Sequence, residues 1–157
     1  MTEFTGTLKP IGRVGIVVSR YHERVTARLL EGALECCEQA GIPEASRDVA
    51  WVAGAFELGS VTAAFAETGR YAALVALGAV VRGDTPHFDF VAGETASALG
   101  DVAREHRVPV GFGLLTVDTM AQAIERAGGS AGNKGFEAAD AAIRAADVIR
   151  QVRALHA

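Results

Sequence analysis

The segment Gly78-Ala-Val-Val-Arg-Gly-Asp-Thr-Pro-His-Phe-Asp-Phe90 decides how this chain is read. Counted from Tyr71, the residues up to Val81 form an unbroken apolar run of eleven. That composition suits a strand buried on both faces, as in a parallel sheet covered by helices. The run stops at Arg82-Gly83, and Thr85-Pro86 predicts a helix start. Thr85 is placed to cap the free amides, and Pro86 to take the first helical position, where its missing N–H costs nothing. A buried strand, a glycine turn and a capped helix put exposed amides at the carboxyl edge of a sheet, where open α/β folds bind anions. His87, the one group of the segment that titrates near pH 7, falls in the helix's first turn.

Working outward, the same alternation repeats. Strands are predicted at Val14–Val18, Asp48–Ala53, Tyr71–Val81 and Val108–Leu115. Helices follow each: Glu23 to Ala40, stopped by Gly41 and Pro43; a short one marked by Leu58, Val61 and Phe65; Pro86 to His106; and a brief one to Ala127, opened by the capping-box spacing of Thr119 and Gln122. Gly128-Gly-Ser-Ala-Gly-Asn-Lys-Gly135 reads as a glycine-rich loop. An alanine-rich helix closes the chain with Ile143, Ala146, Ile149 and Val152 on one side. Residues 1–12 form a polar extension in which Thr5–Leu8 is a candidate edge strand, within the chain or added to a neighbouring subunit. The expected architecture is one domain over residues 1–157, a three-layer α/β/α sandwich. Its sheet has four parallel strands plus the short N-terminal edge strand.

Composition narrows the function classes. The chain has 157 residues, enough to bury about 70% of its unfolded surface as one domain. Half its residues are hydrophobic, and the mean hydropathy is +0.22. That excess predicts surface reserved for other subunits, since no apolar run reaches the length of a membrane span. The N-terminal stretch lacks the pattern of a signal peptide, which predicts a cytoplasmic location. A net charge of −4 argues against nucleic acid as the main partner. Cys36 and Cys37 are adjacent, with no further cysteine to complete a metal or redox motif, and read as small helix residues. Of the 15 basic residues only Lys9 and Lys134 are lysines, so Lys134 in the glycine-rich loop stands out as a compact point charge.

Each predicted strand ends in an unusual turn: Arg20-Tyr21-His22, Gly54-Ala-Phe-Glu57, Arg82 to His87, and Thr116-Val-Asp118. All four fall at one sheet edge. Tyr21 and Phe56 offer flat faces to an aromatic ligand, Glu57 an acceptor for hydroxyls, Thr85 a phosphate cradle and His87 a proton-transfer group. Taken singly, each has a structural alternative. An isolated His is more often a hydrogen-bonding residue, aromatics more often pack, and Glu57 suits a helix start. Asp84 sets a negative charge beside the proposed anion. There is no GxGxxG, Walker A or nucleophile-elbow motif, and no spaced His/Cys set for a metal.

Gly54-Ala-Phe-Glu57, Gly78 through His87, Ala123-Ile-Glu-Arg-Ala-Gly128 and Gly132-Asn-Lys-Gly135 together resemble the lumazine synthase family, over about Gly12 to Val152. The resemblance implies a flavodoxin-like sandwich and a cofactor-free, metal-free condensation late in riboflavin synthesis. There, 5-amino-6-(D-ribitylamino)uracil joins 3,4-dihydroxy-2-butanone 4-phosphate, giving 6,7-dimethyl-8-ribityllumazine, phosphate and water. It implies Tyr21 stacked on the pyrimidinedione, and Ala55, Phe56 and Glu57 on the uracil and ribityl chain. Ala79, Val80 and Val81 would contact the ring through their backbone. Asp84 and Thr85 would lie at the butanone phosphate, with His87 as proton donor and acceptor. Phe112, Arg126 and Lys134 match groups supplied by the adjacent subunit, Arg126 to the phosphate. Sites therefore lie between protomers of a pentamer, and the short 127–134 loop leans toward a sixty-subunit shell. Three departures stand out: Tyr21-His22 where the family commonly has Phe or Trp then Asn, Gly59 where it often has Pro, and Asp84 at a position that varies, so that its side chain need have no role. A non-catalytic lumazine- or flavin-binding shell protein is the rival class. It would have no need of His87, Arg126 and Lys134 together.

Overall fold

A computed structural model describes residues 1–155. Its main sheet is built from β1 (Val14–Ser19), β2 (Arg47–Val52), β3 (Ala73–Val81) and β4 (Val110–Val117). All four are parallel, in the order β2-β1-β3-β4. Apolar residues line both faces because both are covered. Val14, Ile16 and Val18 with Val75, Leu77 and Ala79 pack on α1 (Glu23–Gln39) and on α5 (Lys134–Ala154). The alternate residues Val17, Ala76, Val80 and Leu114 pack on α2 (Leu58–Glu67) and α3 (His87–His106). Fully buried side chains such as Ile16, Leu74 and Leu77 each contribute about 1.5–3 kcal/mol.

The crossover from β1 runs outward to β2 over one face, and the chain then returns past β1 to β3 and β4 over the other. This is the flavodoxin-like order, and it leaves a switch point between β1 and β3 where the two connections part.

Four local expectations are corrected. No strand forms at Thr5–Leu8 within the chain. Side chains of α5 take up that backbone instead: Thr7 N–H donates to Asp147 Oδ2 at 3.0 Å, and Gln151 Nε2 donates to Thr5 O at 2.9 Å. Lys9 Nζ lies 3.1 Å from the same buried carboxylate. The fourth strand begins at Val110 and runs two residues past the expected end, to Val117, because Pro109 has no N–H for the ladder and only its carbonyl is used, by Leu74 N–H at 2.9 Å. The glycine-rich loop is a β-hairpin, β5 (Ala127–Gly129) with β6 (Gly132–Asn133). It follows α4 (Met120–Arg126), whose Thr119/Gln122 capping box forms as the spacing predicts. On α5, Ala146 and Ile143 are buried, yet Val152 is 39% exposed and the far end is held by Asp147, not by an apolar stripe.

Candidate functional site

β1 hands over to Arg20-Tyr21-His22. Arg20 and Tyr21 N–H donate to Val52 O and Ala53 O at 2.8 and 3.0 Å, extending the β1–β2 ladder beyond both strands. Tyr21 therefore has a fixed backbone, while its ring stays 68% exposed. His22 follows at φ 62°, the left-handed region that L side chains occupy at a cost of about 1–2 kcal/mol. Its carbonyl accepts the first two bonds of α1, from Val25 and Thr26 N–H. The His22 ring lies 4.5 Å from that of Tyr21, and burial lowers its pKa, favouring the neutral imidazole.

After β2, Ala55–Glu57 make one 3-10 turn. Ala55 is buried, and Phe56 and Glu57 point to solvent. Thr95 Oγ1, buried on α3, donates to Ala55 O at 3.2 Å and fixes that turn from below.

β3 is the longest strand. Its pairing with β1 ends at Leu77, but its pairing with β4 continues to Val81. Beyond Leu77 one backbone edge of β3 is therefore released at the switch point, next to Tyr21. The side chains of Ala79 and Val80 are buried, so only their main chain faces this crevice.

The loop after β3 is pinned by Arg82. Its guanidinium stacks 4.3 Å over the Phe88 ring and reaches Asp118 at 2.9 Å and Asp89 at 3.6 Å, and its N–H donates to Val117 O at 2.9 Å. Asp84, Thr85 and His87 are exposed on that loop. The expected cap is weaker than predicted. α3 begins at His87, with Pro86 at the boundary, and Thr85 Oγ1 accepts from His87 N–H only at 3.4 Å. Asp89 N–H donates to Pro86 O at 3.0 Å, so two of the first three amides have partners, while the helix dipole at this end still favours an anion.

Phe112, Arg126 and Lys134 lie elsewhere. They line a cavity of about 400 Å³ along β4, the opposite edge of the sheet from β2. None of Tyr21, Phe56, Glu57, Asp84, Thr85 and His87 lines it. Phe112 is 54% exposed and pairs with Ala76, roughly 16 Å back along β4 from Val117 at about 3.3 Å per residue. Arg126 Nη1 donates to Gln122 O at 3.1 Å, and Lys134 Nζ lies 3.1 Å from Glu137. The sequence-predicted residues thus fall into two separate groups, one at the end of β3 and on the turns after β1, β2 and β3, and one along β4.

Among the described residues, no three His, Cys, Asp or Glu side chains gather as a metal site, and no helix is long and apolar enough to cross a membrane. Burial pushes the Cys36 thiol up to about 12 and raises that of Cys37.

The sheet order and the crevice at its switch point define a flavodoxin-like α/β protein. A family model described as 6,7-dimethyl-8-ribityllumazine synthase matches residues 12–150, and the chain belongs to that family of transferases of riboflavin biosynthesis.

Sequence reasoning passed over Arg82, Thr95 and Asn133. Thr95 carried a signal, as the one hydroxyl on the buried stripe Phe88, Thr95, Leu99, Val102 of α3. Asn133 carried a local signal as an Asn at the start of α5. Its bond to Arg28 O, like that of Arg82 to Asp118, joins residues distant in sequence, which local pattern cannot reveal.

Proposed function

We propose that the chain condenses 5-amino-6-(D-ribitylamino)uracil with 3,4-dihydroxy-2-butanone 4-phosphate to 6,7-dimethyl-8-ribityllumazine, phosphate and water. The observation that carries this reading is the crevice where β3 loses β1 as a partner, flanked by Tyr21, Phe56 and Glu57. A planar pyrimidinedione has hydrogen-bonding edges and two faces. The freed main chain of Ala79 to Val81 suits the edges, Tyr21 suits a face, and Ala55, Phe56 and Glu57 take the hydroxylated ribityl chain. The weakly capped start of α3 with Asp84 and Thr85 receives the phosphate, completed by Arg126.

In this reading the ring-bound amine condenses with the ketone with loss of water, phosphate is eliminated, and the second amine closes the ring with loss of a second water. These steps need orientation and proton transfer more than a strong nucleophile. His87, in the first turn of α3 beside the phosphate cradle, moves the protons.

Phe112, Lys134 and Arg126 of one protomer complete the crevice of the next, in a pentamer that assembles further into a shell. The same reading takes a cytoplasmic location, where a phosphorylated substrate is retained. The test is direct: purified protein with both substrates forms a fluorescent lumazine and releases phosphate. A rate equal to the spontaneous background refutes the reading, and flavin binding without turnover would install the non-catalytic shell protein instead.

A further inference from the structure

Between the two cations of the β4 half-site in the hairpin register stands one side chain, Asn133, that no step of the proposed chemistry uses. Across the β5–β6 hairpin, Ala127 stands opposite Asn133. Arg126 directly precedes the first and Lys134 directly follows the second, so the hairpin register brings both cations to the mouth of one cavity.

Asn133 uses its amide on two elements at once. Its Oδ1 accepts from Gly135 N–H at 2.8 Å and Phe136 N–H at 3.1 Å, capping α5. Its Nδ2 donates to Arg28 O on α1 at 2.9 Å. The two helices approach closely here: a Cβ at Gly32 would collide with the Asn133 amide, and one at Gly135 with the Leu29 carbonyl. An amide is planar, so fixing its oxygen on α5 and its nitrogen on α1 fixes the direction in which Lys134 leaves the helix start.

We infer that Asn133 is a positioning residue that aims Lys134 into the ligand cavity, through its joint hold on α5 and α1. This rests on the reading of the site above. A residue that merely caps α5 would be replaced adequately by another short acceptor. A residue that sets the Lys134 direction also needs the Nδ2 donor.

The discriminating variant is Asn133→Ser, which keeps a capping oxygen and lacks the reach to Arg28. It should retain the thermal midpoint of the wild type within a few degrees. Its KM for 5-amino-6-(D-ribitylamino)uracil should rise roughly five- to tenfold with kcat changed less than about twofold. In a Lys134→Ala background the same change should alter KM by less than about twofold, because the group being aimed is gone. A parallel calorimetric titration with inorganic phosphate needs only the cation-lined cavity, and the same non-additive pattern is expected.

Wild-type KM in Asn133→Ser, or effects that simply add to those of Lys134→Ala, overturn the inference. A wild type that makes no lumazine yet shows the non-additive phosphate pattern removes the enzymatic reading and leaves the role of Asn133 standing. Neither turnover nor phosphate binding in the wild type removes both.

Discussion

A site divided between two chains can be rebuilt from two broken halves, and the expected yield follows from the geometry. The β2 and β4 edges of one sheet are three strand spacings apart, roughly 14 Å at about 4.8 Å each. Of Tyr21, Phe56 and His87 only Phe56 follows β2, while Tyr21 follows β1 and His87 follows β3. Yet none of the three lines the cavity of Phe112, Arg126 and Lys134, and in the proposed pentamer the two groups meet across a subunit boundary. His87→Ala damages the first half-site, and loss of a proton-transfer group lowers kcat by about 10²-fold or more. Arg126→Ala damages the second. A guanidinium–phosphate bond contributes about 1.5–3 kcal/mol, so affinity for the butanone phosphate falls by roughly 10- to 150-fold. When the two variants are co-expressed in equal amounts, a ring with a head-to-tail interface takes one half-site from each of two neighbours. A site is intact only where an Arg126→Ala chain supplies the His87 side and a His87→Ala chain the other, about one site in four. Initial rates of lumazine formation at sub-saturating butanone phosphate should recover to about a quarter of wild type, far above either parent. Mixed assemblies no more active than the mean of the parents would show that each site is confined to one chain. The division proposed here would then be wrong.

Four other outcomes follow from single groups. Glu57→Gln keeps the shape of the side chain and loses the charged acceptor, so the KM for the ribitylated substrate should rise about tenfold in steady-state assays, with kcat little changed. Thr119→Ala removes half of the capping box on α4 and should cost about 1 kcal/mol, read as a lower denaturant midpoint at constant slope. Cys36 and Cys37 are buried with raised thiol pKa values, so a thiol reagent at mildly alkaline pH should label them only on unfolding, and fast labelling of native protein would contradict their placement. Asp147 has its pKa held below the usual 3.8, chiefly by the Thr7 N–H. A depressed carboxyl pKa stabilises above the unfolded value and the stabilisation is lost as pH falls below it. Exchange protection of the Thr7 amide should thus persist down to about pH 5 and fade only in stronger acid.

The readings that held were those carried by side-chain pattern. Tyr71 to Val81 announced β3 because a doubly covered parallel strand must be apolar at every position, and the Thr119/Gln122 box is a local hydrogen-bond device that the structure reproduces. The misreadings have equally local causes. Glycines carry no periodicity, so the 127–133 hairpin looked like a connection. The positive φ at Gly128 (94°) and Gly132 (79°), which lets the chain turn so tightly there, has no side-chain signature. Thr5–Leu8 has the residues of an edge strand, yet its donors and acceptors found Asp147, Arg144 and Gln151 on α5. A buried Asp in an alanine-rich helix looks like a solvent position until its partner from the chain's other end is in view. The left-handed His22 was likewise invisible. Asn, common there in the family, is one of the few residues that tolerate that conformation, so backbone geometry accounts for the exchange better than a shared polar contact.

The division of the site also bears on why the chain is so apolar. Tyr21, Phe56, Phe90 and Phe112 are each more than half exposed, and three of the four belong to the proposed half-sites. Aromatic surface of that extent on an isolated chain invites uncontrolled association. Two different patches that complement each other make a head-to-tail contact, and such a contact closes into a ring when the rotation between neighbours permits. In the proposed pentamer the aromatic groups that bind substrate would also cover the subunit boundary, so catalysis and assembly draw on the same residues. Dilution to monomers should then abolish turnover even though each chain keeps every side chain of both halves. The loss should track the pentamer fraction measured by sedimentation, and monomers with full activity would refute the shared role.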